Sequence, residues 1–292
     1  MKIDLEKIKQ RKSLKELLEF GILNIDKPSG PTSFVTGEII GRRILKSFGV
    51  RKFSHAGTLD PMVGGVLPIM LNRACKLLGW FMKKKKTYVG IMKIHKEISQ
   101  EKLREEMDKF EGKIMQLPPV KSRVKREIRE REVYSWKILE FDEKNKEVLF
   151  EADVEAGTYI RKLISDLGEV IGGAHMTELR RTKAGIFKEE DKNFVNLYDL
   201  EKAVKEAEEG KEEKLRELII PGEIVAEILN VVFVKEESVK NFMTGKPIVK
   251  KDIVKGEMKD EGNVVFSGDR LVGIHRKVEE EDIVGRADFV LN

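Results

Sequence analysis

Residues 54–71 read SHAGTLDPMVGGVLPIML, and this stretch decides how the chain around it can fold. Its second half, GGVLPIML, is a continuous apolar run that begins with two glycines, and together with the following NRACKLLGWF it predicts a β-strand that passes into a helix. Its first half is a polar loop with one carboxylate, Asp60, between a leucine and a proline. A single Leu-Asp-Pro is usually a turn or a helix cap. The rest of the chain must therefore show whether Asp60 has a chemical role.

The segments on either side alternate between strand and helix patterns. Upstream, GILNIDKPSGPTS (21–33) predicts a short strand and a turn, followed by a helix over about 33–47. Downstream, KKKKTYVGIMKIH predicts a strand with alternating residues, and Ser99 is placed to cap a helix over 100–110. The pattern then predicts a hairpin with a charged turn at 142–146, a helix over TYIRKLISDLGEVIGG, and helical structure over about 199–217.

The length of the chain and the position of one Pro-Gly pair predict two domains. A chain of 292 residues exceeds the usual size of one domain, and Pro221-Gly222 marks a boundary. We expect an N-terminal arm over 1–20, a large domain over 21–217 and a small β-rich domain over 218–292. Strands and helices alternate irregularly and without an internal repeat, which predicts the α+β class.

Composition narrows the function classes. Charged residues make up 37% of the chain, with a net charge of +5, and basic residues concentrate at 82–88 and 120–132. A lysine run is commonly a solvated face, but two such patches favour nucleic-acid binding. One cysteine and four histidines far apart in sequence predict neither a disulfide framework nor a metal site. A charged N-terminus and the lack of a membrane-length apolar run predict a cytoplasmic protein.

Familiar cofactor and nucleophile motifs are missing from the sequence. It contains no GxxxxGK[ST], no GxGxxG after a strand, no HExxH and no GxSxG. Five polar motifs remain, and we interpret them as loops that build a site: NIDKPSGPTS, SHAGTLDP, KTYVG, EAGTYIRKL and AHMTELRRT.

In their order and spacing these motifs resemble the TruB family of RNA pseudouridine synthases. HAGTLDP followed by GVLPI is similar to the family's catalytic motif, whereas GAHMTELRRTKAGIF and EGKIMQLPPVKSRVKR resemble its archaeal and eukaryotic dyskerin-type branch. The resemblance covers about residues 20–190, and the C-terminal part is similar to the RNA-binding PUA domain of the same proteins. It implies a catalytic domain on a mixed, mainly antiparallel sheet with flanking helices, plus a small β-rich domain.

The resemblance also implies a reaction for Asp60. Family members convert a uridine in RNA into its C-glycoside isomer without a cofactor or metal. One carboxylate suffices because it acts either as a nucleophile at the sugar or base, or as the base that removes a sugar proton. Arg161 matches the family arginine that pairs with this aspartate, and such a pair keeps a carboxylate ionised. Taken alone, Arg161 would be an exposed helix arginine.

Other matched residues line the expected uridine site. Tyr88 matches the tyrosine that stacks on the target base, while Tyr159 and Leu179 match residues that line the uracil pocket; ordinary core packing is the alternative for all three. His55 matches a histidine near the flipped nucleotide. Lys27, before Pro28, matches a motif that shapes the floor of the active site, and the alternative is an exposed turn lysine.

The target nucleotide must leave the RNA stack, so phosphate contacts are expected to hold the RNA in a salt-dependent way. The candidates for these contacts are Lys83, Lys84, Lys85, Lys86, Lys121, Arg123, Lys125, Arg126, Arg180 and Arg181.

Two substrate modes follow from the resemblance, and the sequence does not separate them. The enzyme acts alone on the uridine of the tRNA T-loop, or it modifies ribosomal RNA under an H/ACA guide RNA together with small partner proteins. The alternative from another class is a non-catalytic RNA-binding scaffold of an H/ACA-type ribonucleoprotein. A deaminase or methyltransferase would require a zinc signature or cofactor loop, which the sequence does not show.

Overall fold

The computed structural model describes residues 3–118 and 125–291 and divides the chain into two compact units. Leu23–Ile219 form the larger unit. The smaller unit combines the residues up to Ile22 with those from Ile220 onward, so the N-terminal segment folds with the C-terminal part of the chain. The mixture of sheets and helices confirms the α+β class.

The described residues form nine α-helices and seventeen strands. The α-helices are α1 (Leu5–Arg11), α2 (Leu14–Glu19), α3 (Ser33–Glu38), α4 (Leu78–Met82), α5 (Gln100–Asp108), α6 (Ile160–Ile171), α7 (Leu197–Glu208), α8 (Glu213–Leu218) and α9 (Val239–Met243). The strands are β1 (Gly21–Lys27), β2 (Phe53–His55), β3 (Gly64–Leu71), β4 (Lys86–Ile94), β5 (Gly112–Gln116), β6 (Arg129–Asp142), β7 (Glu147–Val154), β8 (Ala174–Ala184), β9 (Phe187–Lys188), β10 (Phe194–Asn196), β11 (Ile219–Pro221), β12 (Asn230–Val234), β13 (Ile248–Val249), β14 (Ile253–Lys255), β15 (Asn263–Ser267), β16 (Arg270–Glu280) and β17 (Ile283–Val290).

The larger unit is built on one mixed sheet with the strand order β10-β1-β3-β8-β4-β7-β6-β5. The pairs β1–β10 and β3–β8 are parallel, whereas β8, β4, β7, β6 and β5 pair antiparallel in succession. This confirms the mainly antiparallel sheet that the resemblance implies. β3, the apolar run of the opening motif, is a central strand and is buried from its second residue onward.

Two of the five polar motifs are not loops. AHMTELRRT lies in β8 and KTYVG begins β4, so both belong to the middle of the sheet. The alternating pattern of KKKKTYVGIMKIH correctly predicted β4, whereas the interpretation of the two motifs as loops was wrong, because a polar composition does not exclude a strand inside a sheet. In β4, buried and half-buried residues alternate along all nine positions, because successive side chains of a strand point to opposite faces of the sheet.

The predicted helices are present, some with interruptions. α5 begins after Ser99, whose side chain accepts a hydrogen bond from the Lys102 N–H at 3.2 Å, as expected of an N-cap. The predicted helix over 33–47 starts as α3 and continues as a wider π-helical segment to Ile44 and a 3₁₀ turn to Phe48. The segment over 199–217 divides into α7 and α8.

The smaller unit contains a six-stranded sheet with the order β13-β17-β16-β15-β12-β14. Val234, Phe242, Val265 and Val272 belong to its apolar core. Salt bridges tie α1 and the residue after it to this unit: Lys7 and Arg11 contact Asp269 at 2.8 and 2.6 Å, and Lys12 contacts Glu223 at 2.5 Å. The separate arm predicted for 1–20 is therefore packed against C-terminal residues. Assignment of 218–292 as an RNA-binding PUA-like domain stays a prediction.

The helices of both units are short or carry charged faces. Within the described ranges, no helix is both long and apolar enough to cross a membrane.

Candidate active site

The loop that carries Asp60 is fastened to the turn after β1. The Ser33 hydroxyl accepts a hydrogen bond from the Leu59 N–H at 2.8 Å and lies 3.1 Å from the Leu59 carbonyl oxygen. On the other side of Asp60, the Gly30 N–H donates to the Pro61 carbonyl at 2.8 Å. The two residues that flank Asp60 are thus held by backbone and hydroxyl contacts.

The buried side chain of Lys27 also holds the loop that carries Asp60. Its side chain is 0% exposed, and its ammonium donates to the carbonyl oxygens of Pro28, Pro61 and Val63 at 2.8, 3.1 and 2.9 Å. Burial, and next the charge of Arg181, lower the pKa of Lys27. The alternative of an exposed turn lysine is wrong, because three carbonyls replace the water that the ammonium loses.

Arg181 and Lys86 are two more buried cations under this loop. Arg181 is 1% exposed and donates to the carbonyl oxygens of Val66 and Gly57 at 2.8 and 3.0 Å. Lys86 donates to the carbonyls of Met82 and Lys84, and burial together with the nearby Arg181 charge lowers its pKa to about 7. Lys27 and Arg181 therefore hold the two ends of the Asp60 loop through its backbone, whereas Lys86 binds the residues that precede it.

Tyr88 and Leu179 lie on the same face of the sheet as Arg181. In the β4–β8 register, Tyr88 is opposite Arg181 and Gly90 is opposite Leu179. Alternate residues of a strand share a face, so these side chains point toward the side where Arg181 contacts the Asp60 loop. Tyr88 is buried and Leu179 half-buried.

Asp60 itself meets Arg161. The Arg161 guanidinium forms an ion pair with the Asp60 carboxylate, although the residues are 101 positions apart in sequence. The two side chains are 51% and 47% exposed, so the pair contributes little to stability. Its consequence is positional: the carboxylate is held at the surface, where a large substrate can reach it.

Two further matched residues, Tyr159 and His55, lie near Arg161 and Asp60 in sequence. Tyr159 is the residue before α6 and is half-buried, two positions from Arg161. His55 ends β2, opposite Ile69 of β3, and is also half-buried. Sequence reasoning missed Ser33 and Gln116, both buried: Ser33 binds Leu59, and Gln116 binds the Tyr159 backbone. The residues next to them in sequence are exposed or half-buried, so no local pattern marks either position.

The expected RNA-binding surface needs correction. Lys86 and Arg181 are interior residues that donate to backbone carbonyls, so their charges do not face solvent. Arg180 is paired with Asp26 at 3.0 Å and with Glu189 at 2.8 Å. These three side chains are already engaged within the protein.

The other basic candidates differ in their surroundings. Lys85 pairs with Asp153 at 2.6 Å and Lys125 with Glu127 at 2.9 Å. Lys83 and Arg126 are exposed and Lys84 is half-buried, whereas Lys121 and Arg123 lie outside the described residues.

Two histidines that are distant in sequence meet in space. His95 Nε2 and His175 Nδ1 are 2.8 Å apart, which the separation along the chain did not indicate. Within residues 3–118 and 125–291, no group of three or more His, Cys, Asp or Glu side chains could hold a metal ion. The pair stands apart from the residues matched to the uridine site.

An open cleft of about 900 Å³ lies in the larger unit. Val89 and Ile91 of β4 contribute to it. Lys27, Leu179 and Met62 also line it, but Asp60 and Arg161 do not. The cleft therefore borders the loop that carries Asp60 without containing the Asp60–Arg161 pair.

Comparison with protein families gives two consecutive matches. Residues 42–160 match the N-terminal domain of TruB family pseudouridylate synthases, and residues 161–227 match the tRNA pseudouridylate synthase B C-terminal domain. A probable tRNA pseudouridine synthase B of Thermococcus onnurineus is 43% identical over 248 residues, which is 84% of this chain and 72% of that protein. The chain belongs to the TruB family. It is accordingly a pseudouridine synthase, an isomerase, as the motifs led us to expect.

Further relatives agree with this membership. A protein of Methanothermobacter thermautotrophicus with the same name is 43% identical over 235 residues, covering 80% of this chain and 70% of that protein. Among solved structures, a chain of a Cbf5-Nop10-Gar1 complex has a TM-score of 0.86 and 35% identity, over 97% of this chain and 88% of that chain. A chain of an H/ACA ribonucleoprotein bound to a substrate RNA also has a TM-score of 0.86, with 33% identity, over 97% and 89%.

Proposed function

We propose that this pseudouridine synthase uses Asp60 as its reactive carboxylate on a uridine of RNA. The ion pair between Asp60 and Arg161 is the observation that carries this assignment. It joins two separate family motifs at one exposed point, next to a loop held by Lys27 and Arg181. Tyr88, Tyr159, Leu179 and His55 are assigned to the binding of the flipped nucleotide.

The reaction rearranges one base without changing its composition. The bond between N1 and C1′ breaks, the uracil rotates, and a bond forms between C5 and C1′. The proton on C5 leaves and N1 gains a proton, so no oxidant, reductant or cofactor is consumed. Asp60 acts as the nucleophile or as the base and is regenerated.

The substrate class proposed is RNA with an accessible loop, because the reacting atoms are hidden in a stacked helix. The names of the relatives favour tRNA as the substrate, and within tRNA the family resemblance implies the uridine of the T-loop. The solved structures favour a second mode, in which the chain modifies RNA inside an H/ACA ribonucleoprotein with small partner proteins. Action in the cytoplasm stays a prediction from the sequence.

The test compares wild type with Asp60→Asn, each as the full chain, on an unmodified tRNA transcript. Pseudouridine is mapped by carbodiimide modification and reverse transcription. We expect a stop at the T-loop uridine that disappears in Asp60→Asn, while RNA affinity stays within about threefold. If wild type gives no stop, the assay is repeated with an H/ACA guide RNA and the partner proteins.

Two results would overturn the assignment of Asp60. Equal product formation by Asp60→Asn would exclude the carboxylate as the reactive group. Absence of product from wild type in both assays would favour the scaffold alternative. Circular dichroism of the variant controls for folding.

A further inference from the structure

Helix α6 presents Arg161 to Asp60, yet its first turn breaks the usual rules for starting a helix. Its N-cap is Tyr159, whose side chain makes no capping hydrogen bond, and the first turn has no acidic residue. Instead that turn contains Arg161, a cation at the positive end of the helix dipole. Both features weaken the start of a helix. Such local violations are expected at functional sites and require support from elsewhere in the structure.

Gln116 provides that support from another element. Its Oε1 accepts a hydrogen bond from the Tyr159 N–H at 3.0 Å, and its Nε2 donates to the Tyr159 carbonyl oxygen at 3.3 Å. One side-chain amide thus binds both backbone groups of the N-cap residue, whose carbonyl oxygen also accepts the Leu163 N–H at 2.9 Å. Gln116 is the last residue of β5 and is 2% exposed.

The rest of α6 is positioned by apolar packing. Leu163, Ile164 and Leu167 are completely buried, and these contacts fix the axis of the helix. Arg161 is half exposed and reaches away from that core. The direction in which it leaves the helix therefore depends on the backbone at 159–161, where the hydrogen bonds of Gln116 act.

We propose that Gln116 is a positioning residue for the reaction, because it fixes the Tyr159 backbone and thereby the point from which Arg161 holds the Asp60 carboxylate. This inference rests on the proposed role of Asp60. Gln116 is 2% exposed, so this role acts through the Tyr159 backbone and does not require contact with the substrate. A displacement of about 1 Å at a reacting group costs on the order of 100-fold in rate, so a loosened first turn would mainly slow the chemical step.

The test replaces Gln116 by methionine, which has similar length and neither hydrogen bond. Isomerisation is followed by release of tritium from RNA labelled at uridine C5, on the RNA identified in the test of Asp60. We expect kcat to fall by at least 10-fold, whereas KM and RNA affinity stay within about threefold. A residue with only a structural role would not separate kcat from KM in this way.

Asn263→Leu is the control. Asn263 is a completely buried amide in the smaller unit, and its Nδ2 donates to the Lys259 and His275 carbonyls at 2.8 and 3.2 Å. This variant should lower the melting temperature as Gln116→Met does, but its kcat should be unchanged. An equal loss of kcat in both variants would show a general effect of buried amides and overturn the inference.

A second measurement asks whether Gln116 acts through Arg161. Residues that work as a unit show non-additive losses. Gln116→Met should therefore cost much less in an Arg161→Lys background than in wild type. Full additivity of the two losses would contradict the proposal.

Gln116→Glu covers the case in which the methionine variant fails to fold. An ionised glutamate retains the acceptor for the Tyr159 N–H but lacks the donor, and protonation restores the donor. Its kcat relative to wild type should rise as the pH is lowered. A pH-independent ratio would overturn the proposal.

The Asp60→Asn variant distinguishes a failure of the Gln116 proposal from a failure of the proposed function. If Asp60→Asn is inactive and Gln116→Met has wild-type kcat, only the role of Gln116 is wrong. If Asp60→Asn is fully active, the proposed function fails first.

Discussion

Two interior cations of the larger unit and one buried histidine of the smaller unit differ in their hydrogen-bond partners. In the larger unit, Lys27 and Arg181 are interior cations, and each donates to backbone carbonyls of the Asp60 loop or its neighbours. In the smaller unit, His275 is 0% exposed, and neither ring nitrogen has a hydrogen-bond partner within the described ranges. It packs edge-on to the ring of Phe242.

The difference shows what each group does. A buried cation with several acceptors fixes the backbone that supplies them, so it serves to hold a loop in place. A buried imidazole without partners is tolerated only in its neutral form, and burial lowers the pKa of His275 to about 4. The first arrangement suits a site that must keep its shape, and the second makes one sheet sensitive to acid.

The largest effect is expected from Lys27→Met. The substitution leaves the carbonyls of Pro28 and Val63 without this donor, whereas Pro61 keeps the Gly30 N–H. Because an orphaned buried acceptor costs about 1–3 kcal/mol, and removal of the buried charge offsets part of this, we expect the larger unit to lose roughly 2–4 kcal/mol. Urea unfolding followed by tryptophan fluorescence measures it.

Lys83→Met is the control for this prediction. Lys83 is exposed, and surface substitutions usually change stability by less than about 0.5 kcal/mol. Equal free energies of unfolding for the Lys27 and Lys83 variants would contradict this prediction, since the buried lysine would then stabilise the unit no more than the exposed one.

The next effect is acid sensitivity of the smaller unit. The pKa of His275 is lowered from 6.5 to about 4 by burial, so below pH 6.5 the unfolded chain binds a proton that the folded unit does not. Stability is therefore complete above about pH 6.5 and falls as the pH drops toward 4, by up to roughly 3 kcal/mol. His275→Phe should remove this dependence.

Hydrogen exchange of β15 and β16 amides is the suitable readout. Both tryptophans and all four tyrosines lie between residues 23 and 219, so intrinsic fluorescence reports mainly on the other unit. His175→Gln, at an exposed histidine, serves as the control and should keep the acid dependence. Identical pH profiles of wild type and His275→Phe would contradict the explanation.

Substitutions of Lys83 and Lys84, in the lysine run at 83–86, should change stability least, but they should clearly weaken RNA binding. Reversing Lys83 and Lys84 to glutamate should reduce the slope of log affinity against log salt by about 1.4, at roughly 0.7 for each phosphate that is no longer neutralised. Lys86→Met should leave this slope unchanged, because Lys86 is buried. Filter binding at several salt concentrations measures both. A reduced slope in Lys86→Met would place that charge at the RNA surface.

Local patterns predicted much of the fold. Apolar periodicity indicated the strand at 64–71, the hairpin with its turn at 142–146 and helix α6, and the structure contains all three. The misassignment of AHMTELRRT as a loop has a physical cause: β8 is rich in charged and polar residues although it lies between β3 and β4. The backbone hydrogen bonds of β8 are made with its neighbouring strands β3 and β4, and the residues of the motif do not indicate this pairing.

The sequence by itself determined the motifs, the α+β class and the identity of Asp60 and Arg161 as candidates. Only the tertiary structure paired these two side chains across 101 residues, brought His95 to His175, and placed Gln116 against Tyr159. It also separated Lys86 from the exposed Lys83. Periodicity encodes which face of an element is buried, whereas the partner that a polar side chain finds depends on how distant elements pack.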